Sequence, residues 1–132
     1  GGEPSGAWIF PDDTLCPDGP LAAAKLVELV AEAGPLAEQV DSIERYPTRR
    51  TAFEVADKAA VMDRISTTVQ AEYESVDTLD GVRVDLGDAW FLLRASGTEP
   101  ILRVTAEARE SQRAEAVFET ACELVESHVE TA

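Results

Sequence analysis

The run Arg94-Ala95-Ser96-Gly97-Thr98-Glu99-Pro100-Ile101-Leu102-Arg103 holds the side chains in this sequence best suited to gripping an anion. Ser96 and Thr98 carry hydroxyl donors, and Gly97 lets the backbone turn so that successive N–H groups can converge on one oxyanion. Arg94 and Arg103 add charge and paired donors that match phosphate geometry. The segments on either side alternate like strands, which makes the run a hairpin tip. If Ala95 pairs with Leu102, Arg94 and Arg103 lie opposite each other on one face. Like charges so placed destabilise a sheet, and an anion held between them removes the penalty. The same residues also fit an ordinary Ser-Gly loop with two surface arginines, because short Gly/Ser loops match by chance. A weaker constellation opens the chain. Glu3 and Ser5 sit on a Gly-rich turn and suit hydrogen bonding to sugar hydroxyls, but they read equally as solvated loop residues.

The elements that must position the long run follow from periodicity. Residues 89–95 form a strand with Trp90, Leu92 and Arg94 on one face and Phe91 and Leu93 on the other, and residues 101–108 alternate again. Upstream, residues 48–55 read as a strand with Arg49, Thr51 and Phe53 on one face. Asp57 caps a helix to about Gln70, with Val61, Ile65 and Val69 inward and Met62 beside them. Residues 74–79 lead to Asp80-Gly81, a hairpin turn signal, then Val82-Arg83-Val84-Asp85-Leu86 alternates before a second turn at Gly87-Asp88. A last helix, about 111–130, turns Ala114, Val117, Phe118, Ala121, Leu124, Val125 and His128 inward and a solvated acidic face with Glu115, Glu119, Glu123, Glu126 and Glu130 outward. Helices on one face of a small antiparallel sheet define an α+β domain over residues 45–132.

Residues 1–44 read differently. Asp18 and Pro20 start a helix that Gly34 and Pro35 close, and residues 36–43 form a short further helix. The longer helix has one narrow polar stripe, Lys25, Glu28 and Glu32, so it wants burial over more than half its circumference. Residues 1–17 cannot supply that surface. With the abrupt Gly-Gly-Glu-Pro start, this predicts a neighbouring part of the protein outside the sequence.

Composition narrows the partners. The charge is −15, from 26 acidic against 11 basic residues, of which only Lys25 and Lys58 are lysines. Such a chain repels nucleic acid and anionic membranes, and no apolar run approaches the ~20 residues of a membrane span. Acidic surplus with scarce lysine suits a halophilic source, though an ordinary acidic cytosolic protein has the same balance. Cys16 and Cys122 are far apart, and no Cys or His lies at metal-ligand spacing, so both thiols are expected reduced, Cys122 as a small core residue. His128 is expected in a structural, end-of-helix role.

Two motifs together resemble one family. Gly1-Gly2-Glu3-Pro4-Ser5-Gly6 resembles the sugar-recognition loop of the α-D-phosphohexomutases, and Arg94 through Val104 resembles their phosphate-binding loop. The resemblance implies four domains around a cleft. Residues 1–44 would be the end of the third, a helical remnant of an α/β domain, and residues 45–132 the fourth, with a TATA-box-binding-protein-like fold. It implies that Arg94, Ser96, Gly97, Thr98 and Arg103 hold the substrate phosphate and that Glu3 and Ser5 hold sugar hydroxyls. It places the phosphoserine loop and the aspartate-rich Mg2+ loop in domains outside these residues, leaving no catalytic or metal-binding residue here; Asp12-Asp13 lacks the metal-loop spacing. The implied activity interconverts hexose 6-phosphate and 1-phosphate through a bisphosphate that reorients in the cleft, in the cytoplasm. The partners would be the phosphosugar and the N-terminal domains of the same chain, with no nucleic acid or membrane. Ser-Gly-Thr-Glu-Pro is closest to phosphoglucosamine mutases, with phosphomannomutase/phosphoglucomutase as the alternative. Ala7 stands where many members have a sugar-contacting histidine. A free-standing sugar-phosphate-binding module and an acidic decoy for basic partners are the rival readings.

Overall fold

The computed structural model describes residues 1–2 and 6–129, which fall into two compact units, Gly1–Glu44 and Arg45–Ala132. In the first, Gly2 bridges Trp8 and the Ile9 N–H donates to Gly1 O at 2.8 Å. Helix α1, Gly19–Ala33, begins where the Asp18 carboxylate accepts the Leu21 N–H at 2.9 Å, with Pro20 in the first turn. It ends at Gly34, whose φ of +88° an L-residue rarely adopts and whose N–H returns to Val30 O. Helix α2, Leu36–Asp41, follows. No described residue of this unit is buried, and the apolar side of α1 lies open at Leu26, Val27, Leu29 and Val30.

The second unit runs β1 (Thr48–Glu54), α3 (Lys58–Glu72), β2 (Val76–Asp77), β3 (Val82–Asp85), β4 (Ala89–Ala95), β5 (Ile101–Ala108) and α4 (Ser111–Val129). The strands form one antiparallel sheet in the order β1-β5-β4-β3-β2. Alternation puts Val82, Val84, Phe91, Leu93, Leu102, Val104 and Ala106 on one buried face. Val61, Ile65 and Val69 of α3 and Ala114, Val117, Ala121 and Val125 of α4 close over it. Tyr73 meets Phe91 edge-on, ring centres 5.7 Å apart. Cys122 packs against this core as expected, and burial pushes its thiol pKa up, with Glu126 adding to the effect. His128 sits 2.9 Å from Thr68 Oγ1, and its carbonyl accepts from Arg64 Nη2, tying the end of α4 to α3.

Some details refine the expectation. Within residues 74–79, which lead to the Asp80-Gly81 turn, only the two-residue β2 joins the sheet, because the Asp77 carboxylate accepts the Leu79 N–H at 2.8 Å and turns the chain out of the ladder. The β1 face holds together as expected, Arg49, Thr51 and Phe53 all on the helix-covered side, where Phe53 packs on the core and Arg49 reaches α4, bonding Glu115 at 2.6 Å and Ser111 at 3.1 Å. One member of the outer acidic run of α4 is thus paired as well as solvated.

Candidate functional site

The loop between β4 and β5 is closed by the Ser96 N–H, which donates to Ile101 O at 2.9 Å. The register beneath it pairs Ala95 with Leu102, the condition set from the sequence, and so Arg94 with Arg103. Both arginines therefore stand on the sheet face opposite the helices, at the loop end. Here a carboxylate faces each of them. Arg94 Nε pairs with Asp80 Oδ1 at 3.1 Å and Arg103 Nη2 with Glu99 Oε2 at 2.7 Å, so each guanidinium has its own carboxylate. Both arginine side chains are more than half exposed, 54% and 55%. Water screens such pairs to about 0–1 kcal/mol each. A phosphate engaging both forks would make charge-assisted bonds of about 1.5–3 kcal/mol each in place of the carboxylates.

Ser96 is the buried polar residue of the described set, 8% exposed. Its hydroxyl accepts the Glu99 N–H at 3.3 Å and lies 3.4 Å from Glu99 Oε2, an internal brace for the loop. Gly97 and Thr98 are exposed at its crest. Gly97 does not use the left-handed backbone region, and a Cβ there would meet nothing within 4 Å, so neither turn geometry nor crowding inside the unit demands glycine at this position. Arg94, Ser96, Gly97, Thr98 and Arg103 are thus brought together at one sheet end. Glu3 and Ser5 lie outside the described residues.

Two residues that sequence reasoning missed complete the surroundings. Lys58, at the start of α3, donates to the carbonyl oxygens of Ser96 and, at 2.9 Å, Glu99. Its signal was available in principle, as one of two lysines placed just after β1, whose end pairs Glu54 with Ile101. Asp80 reaches Arg94 because Gly81, at φ +95°, lets β3 press against β4; a Cβ there would stand 2.3 Å from Leu93 O. A hollow of about 200 Å³ opens at the opposite end of the sheet, beside Tyr46, Trp90, Glu107 and Arg109. Asp85 and Asp88 join Glu107 on its walls, so it repels anions where the loop offers donors. Among the described residues no group of three or more His, Cys, Asp or Glu side chains could hold a metal ion. The described residues therefore do not fit a magnesium site. No helix among them is long and apolar enough to cross a membrane.

The second unit is an α+β module whose exposed hairpin tip combines two facing arginines with Ser96, Gly97 and Thr98. The chain belongs to the phosphoglucomutase/phosphomannomutase family. Residues 45–124 match the model of the family's C-terminal domain, and residues 1–46 match that of its alpha/beta/alpha domain III. A protein named probable phosphoglucosamine mutase from Methanopyrus kandleri is 46% identical over 98% of this chain and 29% of its own length. One of the same name from Methanocella arvoryzae is 43% identical over 99% of this chain and 30% of its own. The chain thus spans less than a third of the curated relatives it matches. In fold it resembles a phosphoglucomutase/phosphomannomutase family protein of Burkholderia thailandensis, at TM-score 0.79 and 22% identity over 96% of this chain and 28% of that one. It also resembles Aspergillus fumigatus N-acetylphosphoglucosamine mutase, solved with GlcNAc-6P and magnesium, at TM-score 0.58 and 21% identity over 83% of this chain and 21% of that one.

Proposed function

We propose that this chain is the phosphate- and sugar-gripping part of a phosphohexomutase that interconverts glucosamine 6-phosphate and 1-phosphate through a bisphosphate intermediate. Residues 1–44 would close the third domain and residues 45–132 form the fourth. The facing Arg94–Arg103 pair beneath the Ser96–Thr98 crest carries the reading. Phosphoryl transfer depends mainly on positioning and charge stabilisation. A bisphosphate that turns over between two half-reactions needs a site that takes the non-reacting phosphate in either orientation. Arg94 and Arg103 supply its charge, and Ser96, Gly97 and Thr98 the shorter-range donors. Glu3 and Ser5 would hold sugar hydroxyls that both orientations present. Magnesium and the phosphoryl-carrying serine would come from other domains, and this unit would close over the substrate.

The phosphoglucosamine mutase names of the relatives favour glucosamine phosphate over mannose or glucose phosphate. Comparing kcat/KM for the three sugar phosphates in the full-length enzyme decides among them. For the site itself, titration of the 132-residue chain with inorganic phosphate should show Arg94→Ala weakening binding by ~1.5–3 kcal/mol. Equal affinity in wild type and variant would sink the assignment. The chain alone should turn over no sugar phosphate. A charge of −15 with two lysines further suggests a cytoplasmic enzyme from a salt-rich cell. Its melting temperature should then rise from low to molar salt.

A further inference from the structure

The loop's carbonyl groups set the direction of its N–H groups. All peptides here are trans, and in a trans peptide C=O and N–H point opposite ways. Lys58 Nζ holds Ser96 O and Glu99 O on the α3 side of the loop. Fixing the Ser96 carbonyl there turns the Gly97 N–H away from α3. The Glu99 carbonyl belongs to a peptide with Pro100, which has no N–H to aim. The remaining donors are already partnered at two positions: Ser96 N–H on Ile101 O, and Glu99 N–H on Ser96 Oγ. Gly97 and Thr98 are left as adjacent N–H groups with no hydrogen-bond partner among the described residues, beside the exposed Arg94 and Arg103. Adjacent outward N–H groups form an anion-binding concavity, and carbonyl oxygens turned the same way would repel the anion.

We propose that Lys58 is a positioning residue for phosphate binding. It holds the Ser96 and Glu99 carbonyls inward and so presents the Gly97 N–H group, beside that of Thr98, to a phosphate monoester. This rests on the phosphate-site reading above. Lys58 does not itself grip the anion, because its ammonium is committed to two carbonyl oxygens. Lysine suits this role because a compact ammonium on a flexible stem has three donors that can reach two oxygens at once.

The test is amide NMR of the 132-residue chain titrated with inorganic phosphate. In the wild type the Gly97 and Thr98 amides should move saturably. In Lys58→Met those shifts should vanish and affinity fall about tenfold, while the amides of Phe91, Leu93 and Val104 stay at their native positions. Lys58→Arg, which keeps charge and donors, should lie between the two and decides the matter if Lys58→Met does not fold. Arg94→Ala serves as the control. If it weakens binding while the folded lysine variants keep wild-type affinity and wild-type Gly97 and Thr98 shifts, the role of Lys58 is refuted and the phosphate site stands. If the wild type itself does not respond to phosphate, both ideas fall.

Discussion

Helices α1 and α3 have 15 residues each and opposite fates. The more apolar one, α1, buries none of its residues, whereas α3 buries Val61, Ile65 and Val69. Burial is decided by what a helix finds to lie on. In the second unit, strands β3, β4 and β5 offer α3 and α4 a continuous apolar surface. In the first, α1 faces the short Trp8–Phe10 segment across an apolar groove, and its Lys25 pairs with Asp13. The first unit thus keeps an apolar helix exposed, while the second has its own core.

The largest expected effect tests that separation directly. Phe91 is fully buried, and Phe91→Ala should destabilise the second unit by ~3–5 kcal/mol. Leu29, 44% exposed, should cost no more than about 0.5 kcal/mol as Leu29→Ala. Each unit carries one tryptophan, Trp8 and Trp90, so urea unfolding followed in Trp8→Phe and Trp90→Phe backgrounds reports on them separately. A Leu29→Ala loss comparable to that of Phe91→Ala would break the comparison.

A pair of glycines sharpens it. Gly34 and Gly81 both have left-handed φ, +88° and +95°, but a Cβ at Gly34 meets nothing whereas one at Gly81 strikes Leu93 O. Gly34→Ala should carry backbone strain alone, about 1 kcal/mol. Gly81→Ala adds the collision and should cost about 2–3 kcal/mol in thermal unfolding. It should also pull Asp80 off Arg94. Equal losses at the two glycines would mean that β3 gives way easily. Next comes Asp80→Asn. Removing the carboxylate that competes for Arg94 should raise phosphate affinity by up to about fivefold, the worth of a screened surface pair. Unchanged affinity would show that the Asp80 pair does not hinder the anion.

The same contrast explains what could be read from the sequence. Strands β4 and β5 were legible because alternation and a short loop leave one register, which already sets Arg94 across from Arg103. The caps at Asp18 and Asp57 and the buried stripe of α4 were legible because each is a local pattern. Lys58 and Asp80 were not. The place of Lys58 depends on β1 ending beside residue 100, a non-local pairing, and that of Asp80 on how closely the chain before Val82 follows β4, which alternation does not fix. The brevity of β2 was hidden for another reason: Asp77 accepts the Leu79 N–H, a contest that strand periodicity does not register.

The smallest effect concerns the acid limb of the second unit. The Arg113 side chain donates to both Asp88 carboxylate oxygens, at 2.9 and 3.2 Å, and this hydrogen bonding, with the guanidinium charge behind it, holds the Asp88 pKa below the usual 3.8. The folded-state pKa is thus lower than the unfolded one. The stabilisation linked to Asp88 is therefore present above the unfolded value and is lost as pH falls through the folded one. Arg113→Ala should move the Asp88 carboxyl titration, followed by its carbon resonance, back up toward 3.8 and remove that contribution to the acid limb. Because the pair lies on the surface, molar salt should shrink the difference between variant and wild type. An Asp88 titration unmoved by the substitution would mean that this doubly bonded pair is as weakly held in solution as an isolated surface contact.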